Sequence, residues 1–250
     1  MSGAFAWGVI AASSLLIGGL IVMWKPVQQR TLGLIMAFGA GVLISAVAYE
    51  LIADALEEGI GTGRVALGLF AGALTFFLGD LLIDRMGGEN RKRSQGTGVE
   101  AGEGGGSSRA LTLGIVLDGI PESITLGLTL LGGAGVSVAM LAAIFLSNLP
   151  ESMAATTGFQ KDGRSRDWII KLWLGIMAVS GIASLAGYGL FDDASPETIA
   201  FVLAFAGGAV LTMLADTMMP EAFEYGGKLV GLFTTLGFAV SVAIVALENA

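Results

Sequence analysis

Two residue types are missing from this chain of 250 residues, and each absence excludes chemistry. Without cysteine there are no disulfides, no thiolate metal ligands and no thiol redox chemistry. Without histidine the chain lacks the commonest zinc ligand and the usual general base near neutral pH. Charge is also scarce. Only 14% of residues are charged, where a soluble domain carries about 25%. Polar chemistry here falls to carboxylates, amides, hydroxyls and backbone carbonyls. The net charge is −8 with no clustered basic face, which argues against a nucleic-acid partner.

What fills the sequence instead is apolar: 54% of residues, with a mean hydropathy of +0.79. A helix needs about 20 apolar residues to cross a bilayer. Runs of that kind cover residues 5–24, 31–55, 65–83, 110–131, 135–159, 172–191, 198–222 and 229–246. The expected fold is an all-α integral membrane protein with eight transmembrane helices, in a single domain spanning residues 1–250. The first run is too long for a signal peptide and no basic segment precedes it. Residues 87–108, GGENRKRSQGTGVEAGEGGGSS, hold nothing that could be buried and read as a flexible loop.

Orientation follows from lysine and arginine. Of 13 such residues, all but Arg64 fall after the odd-numbered runs or at their ends. That asymmetry predicts cytoplasmic odd loops and both termini outside, and the expected location is the plasma membrane.

Two segment pairs repeat. LDGIPES at 117–123 returns as LSNLPES at 146–152, and AFGAG at 37–41 returns as AFAGG at 204–208. The second offset also pairs Asp54-Ala55 with Glu221-Ala222. The members of each pair lie in runs that cross in opposite directions, as in secondary transporters built from inverted repeats, whose sites lie near mid-membrane on broken helices.

The carboxylates Asp118, Glu122 and Glu151 fall near the middle of their runs, and no lysine or arginine stands in the middle of any run to pair with them. An ionised carboxylate there costs roughly 2.5–3.5 kcal/mol. It must be protonated or hold a cation. Asp118 and Glu122 are four apart, and Asn148 and Glu151 three apart, so each pair shares a helix face. Pro121 and Pro150 cannot donate to the carbonyls of Leu117 and Leu146, which frees those oxygens beside the carboxylates and predicts kinked central helices. The bland alternative is a proton-sharing carboxyl pair that locks two helices together. Ser123 and Ser152 read better as small packing residues, and Met213, Met218 and Met219 as filler. Glu50 and Asp54, with Glu57 and Glu58, mark the outer end of the second run. Asp80 and Asp84 mark the inner end of the third, and Asp216 and Glu221 the inner half of the seventh. Acidic mouths concentrate cations, so Glu50, Asp54, Asp80, Asp216 and Glu221 form a candidate access path.

The doubled PES segments resemble the paired H-N-x-P-E-G signature of the ZIP family of divalent metal transporters. Eight spans, external termini and a variable loop after the third span also fit that family, and the likeness covers the whole chain. The resemblance implies a prokaryotic-type member with an inverted 3+2+3 repeat that moves zinc, iron or manganese into the cytoplasm by alternating access. The metal is substrate, no cofactor is implied, and a homodimer is compatible. Carried over, Asp118 stands at the family's histidine, Gly119 at its asparagine and Glu122 at its glutamate. Ser147, Asn148 and Glu151 take the matching places in the fifth span. The motif glycines are Ser123 and Ser152 here, and the sixth span offers Ser180 and Ser184 where the family often has a carboxylate. The implied metal ligands are therefore Asp118, Glu122, Ser147, Asn148 and Glu151. Two other readings stay open: a non-transporting relative with a sensing or structural role, and an intramembrane aspartyl protease using Asp80 and Asp118.

Overall fold

A computed structural model describes residues 2–59, 63–83, 85, 106–131 and 135–248. Every element among them is helical. We label them α1 (Ser2–Trp24), α2 (Gln29–Glu58), α3 (Arg64–Ile83), α4 (Gly106–Leu128), α5 (Val138–Lys161), α6 (Arg166–Phe191), α7 (residues 196–226) and α8 (Val230–Glu248). Seven helical stretches among the described residues are long and apolar enough to cross a membrane, which makes this a multi-pass membrane protein. The last stretch, Pro196–Glu248, has 53 residues. As one rod it would measure about 80 Å at 1.5 Å per residue, well over a hydrocarbon core of about 30 Å. It is not one rod. Gly227 has φ 62°, a value that favours glycine. On α7, Met218 reaches Gly39 of α2, and Tyr225 and Gly226 meet Gly33. On α8, Thr234 and Gly237 lie beside Gly41 and Phe38. The chain thus descends along α2 and climbs back along it.

Helix starts follow local chemistry. Ser137, Ser165 and Ser195 cap α5, α6 and α7 by accepting from the amides of Met140, Trp168 and Thr198. The carboxylate of Glu248, at the end of α8, also accepts from the first amides of α5, Val138 at 2.5 Å and Ala139 at 3.0 Å. A negative group suits that end of a helix dipole.

One boundary departs from expectation. Residues 86–105, most of the glycine-rich stretch, lie outside the described residues, as does Asp84, but Gly106–Ser108 are the first turn of α4 rather than loop. Ser108 explains why: it is buried, donates to Asp162 Oδ2 at 2.7 Å and accepts from Arg164 Nε at 3.1 Å. Polar bonds across to the α5–α6 turn hold a segment whose composition alone reads as unstructured. Helix α4 also ends earlier, at Leu128.

Glycine sets the helix packing. A side chain at Gly72 of α3 would strike the carbonyl of Phe205, and one at Gly208 of α7 the carbonyl of Leu69. Between α2 and α8 the same geometry recurs: Gly237 against the Phe38 carbonyl, Gly41 against that of Thr234. Phe38 and Gly41 precede Phe205 and Gly208 by 167 residues. Without a hydrophobic drive between helices in lipid, such close backbone approach is what holds them. The outward side of α3 carries Leu67, Phe70, Leu74, Phe77 and Leu82, all exposed.

Both α2 and α7 contain a π-helical turn, Val47–Ile52 and Leu214–Met218. Their first residues are again 167 apart. The extra residue of a π turn bulges a helix and is frequent at functional sites.

Candidate metal site

Helices α2, α4, α5 and α7 enclose a cavity of about 120 Å³. Along α4 it follows Leu111, Ile115 and Asp118, a stripe of one face reaching about 10 Å from the first to the last. Along α5 it follows Glu151, Ala154 and Ala155, and along α7 it runs from Met213 to Glu224. Asp118 is buried and Glu151 half-buried, while Asp216 and Glu224 are exposed. The cavity therefore opens at the end of the bundle that bears the α1–α2, α5–α6 and α7–α8 connections and the start of α4. Five carboxylates face it: Asp118, Glu151, Asp216, Glu221 and Glu224. Among the described residues, no group of three carboxylates stands close enough to hold one ion as arranged.

The expected ligands thus divide. Asp118 and Glu151 meet at one cavity, each from a helix that continues through its proline, Pro121 or Pro150. Glu122, Ser147 and Asn148 are buried and outside the lining, about one turn further along the same helices. Glu122 is 2% exposed, its Oε2 has no hydrogen-bond partner, and Asp118 is its charged neighbour. A buried carboxylate oxygen with no donor is costly to keep. A cation arriving between Glu122 and the cavity would relieve that cost. Ser147 donates to the Ile144 carbonyl at 3.1 Å, Ser123 to that of Gly119 at 2.7 Å, and Ser152 to that of Leu149 at 2.9 Å. The Ser147 and Ser123 hydroxyls are turned back onto their own helices, while Ser152 also reaches the Ser14 carbonyl of α1 at 3.5 Å.

The access residues divide as well. Asp216 and Glu221 line the cavity, and Asp216 also borders an apolar groove between α3 and α7 with Leu69, Phe70 and Ala73. Asp216 is exposed and lies within the π turn of α7. Asp80 is buried on α3 and does not line the cavity. Glu50 and Asp54 belong to the other end of α2, where Glu50 interacts with Ser137 and Glu248, and Asp54 lies near Glu50, Glu57 and Glu58.

Sequence reasoning did not single out Met36, Thr217 and Glu224, which line the cavity together with Met213 and Met218. Glu224 was within reach, since it stands 167 residues after Glu57 and extends the Asp54–Glu221 pairing.

Fold and cavity together describe a multi-pass helical membrane protein with an acidic cavity. No family model matches the chain. Among characterised sequences it is similar to the zinc transporter ZIP11 of Homo sapiens, 26% identical over 327 aligned positions that take in 96% of this chain and 94% of the human protein. Against ZIP11 of Bos taurus the identity is 25% over 328 positions, with the same coverage. It is also 25% identical over 223 residues to an Arabidopsis thaliana protein described as a candidate zinc transporter. This chain spans 34% of that longer protein's length.

Proposed function

We propose that this protein is a ZIP-like carrier that moves divalent transition-metal cations, of the zinc, iron and manganese class, across the plasma membrane into the cytoplasm. It is a transporter and not an enzyme, and the metal is its substrate. The observation that carries this reading is that Asp118 and Glu151, one from each PES helix, line a single cavity with Asp216, Glu221 and Glu224. The similarity to ZIP11 zinc transporters over nearly the whole of both chains supports it.

In this reading the chain crosses the membrane eight times, with the Pro196–Glu248 stretch making two passes around Gly227, and both termini lie outside. The matched glycine contacts of α3–α7 and α8–α2, and the π turns at the same offset, support an inverted repeat. The cavity opens at the end where lysine and arginine collect, so the state described here faces inward. Alternating access would close that mouth and open one at the opposite end, past Glu50 and Asp54. The metal is held by Asp118 and Glu151, with Glu122 and Asn148 behind them and Ser147 beside them, and leaves past Asp216, Glu221 and Glu224. A homodimer is compatible with the exposed apolar face of α3.

The protease reading loses ground because Asp80 does not line the cavity that Asp118 does. Purified protein in liposomes should take up zinc and manganese down a gradient. Binding of either ion without flux would favour the non-transporting relative instead.

A further inference from the structure

We propose that the same cavity contains a second, soft-donor subsite, built from the thioethers of Met36, Met213 and Met218, that binds Cu(I). Methionine makes up 10 of 250 residues, yet it supplies three of the fourteen that line this cavity. All three are buried, at 2%, 5% and 6% exposure. The chain has no cysteine and no histidine, so thioethers are its only soft side-chain donors.

The backbone explains why all three line the cavity. Met213 and Met218 are five residues apart, and on an α-helix of 3.6 residues per turn they would point about 140° away from each other. The π turn Leu214–Met218 lies between them and absorbs one extra residue per turn, which turns both to the cavity. From α7 the Met218 methyl reaches Gly39 of α2. Met36 precedes Gly39 by three residues and so shares its face of α2. Thr217, between the two α7 methionines, also lines the cavity and has an unpartnered Oγ1.

Thioethers are uncharged and polarisable, and suit a soft monovalent ion, while hard divalent ions prefer the carboxylates. The nearby carboxylates add the negative charge that draws any cation in. The subsite rests on the carrier reading for its access route only; its ligands are independent of Glu122 and Asn148.

The test uses the purified full chain loaded anaerobically with Cu(I), with X-ray absorption at the copper edge and affinity measured by competition with bathocuproine disulfonate. Sulfur neighbours are expected around copper. In M36L/M213L/M218L, which keeps side-chain volume, the ratio of Cu(I) to Mn(II) affinity should fall at least tenfold, while M219L, whose sulfur faces Thr234, should leave it unchanged. Copper surrounded by oxygen and nitrogen alone overturns the subsite, and this measurement on the parent protein stands even if the triple variant fails to fold. An unchanged affinity ratio in a folded triple variant overturns it too. Manganese flux in liposomes reads the carrier function separately. Sulfur-bound copper in a protein without flux keeps the subsite and sinks the carrier.

Discussion

Asp118 on α4 and Glu151 on α5 line one cavity from two different helices, while Glu122 and Asn148, about a turn further along those helices, are sealed from it. The cavity thus ends at the first pair and leaves the second behind it. On the proposed carrier reading, a metal ion passing between them would exchange one set of oxygen ligands for another without meeting bulk water.

Ion choice follows from the absent imidazole. Hard oxygen ligands accept manganese and ferrous iron relatively better than a histidine site does, although affinity still rises toward zinc. Asp118→His should raise the zinc-to-manganese uptake ratio several-fold. It should also bring a new pH dependence. A ligating imidazole must be neutral, and its ordinary pKa is about 6.5, so zinc uptake by the variant should fall as pH drops from about 7.5 to 5.5. Competitive uptake at several pH values checks both. An unchanged ratio would remove Asp118 from the ligand set.

Packing predictions separate the glycines. Gly41→Ala and Gly72→Ala each push a methyl into a facing carbonyl, at Thr234 and Phe205. Overpacking of this kind costs about 1–3 kcal/mol. Both variants should unfold several degrees earlier in detergent. Gly175→Ala is the control: a Cβ there meets nothing within 4 Å, and in mid-helix alanine should stabilise by about 0.5–1 kcal/mol. Equal melting of all three would show that the close crossings do not hold the bundle.

The Glu248 carboxylate ties the end of α8 to the start of α5 through Val138 and Ala139. Removing a cap costs about 0.5–2 kcal/mol. In Glu248→Ala the amides of residues 138–141 should exchange with deuterium about two- to thirtyfold faster, with the α6 start, capped by Ser165, unaffected. Unchanged exchange at 138–141 would mean that the carboxylate contributes nothing there.

Topology can be read cleanly because the chain has no cysteine of its own. A single cysteine at Ser2 should react with a membrane-impermeant maleimide from outside intact cells, and one at Ser94 only after lysis. The reverse pattern would invert the proposed direction of transport.

Much of this was legible in the residues themselves. Apolar run lengths place the helices because lipid leaves the backbone no other way to satisfy its hydrogen bonds. The paired PES segments pointed to Asp118 and Glu151, since an ionised carboxylate in mid-span is costly unless it is protonated or holds a cation. The π turns were not legible. An extra residue per turn is a matter of packing between α2 and α7, and no composition signals it. Met213 and Met218 are buried in the hydrophobic core, as filler would be, and also line the cavity, which the sequence reading did not foresee. The start of α4 was missed for a different reason, a polar bond from Ser108 to Asp162, 54 residues away.

On the proposed carrier reading, Glu151 carries metal through the cavity it shares with Asp118. Radioactive zinc uptake into liposomes reconstituted with equal amounts of folded parent and Glu151→Gln protein tests it most directly, with Glu197→Gln, outside the cavity lining, as control. Glu151→Gln should lose at least nine-tenths of the uptake rate, and Glu197→Gln should keep the parent rate. Parent-level uptake by Glu151→Gln would contradict it.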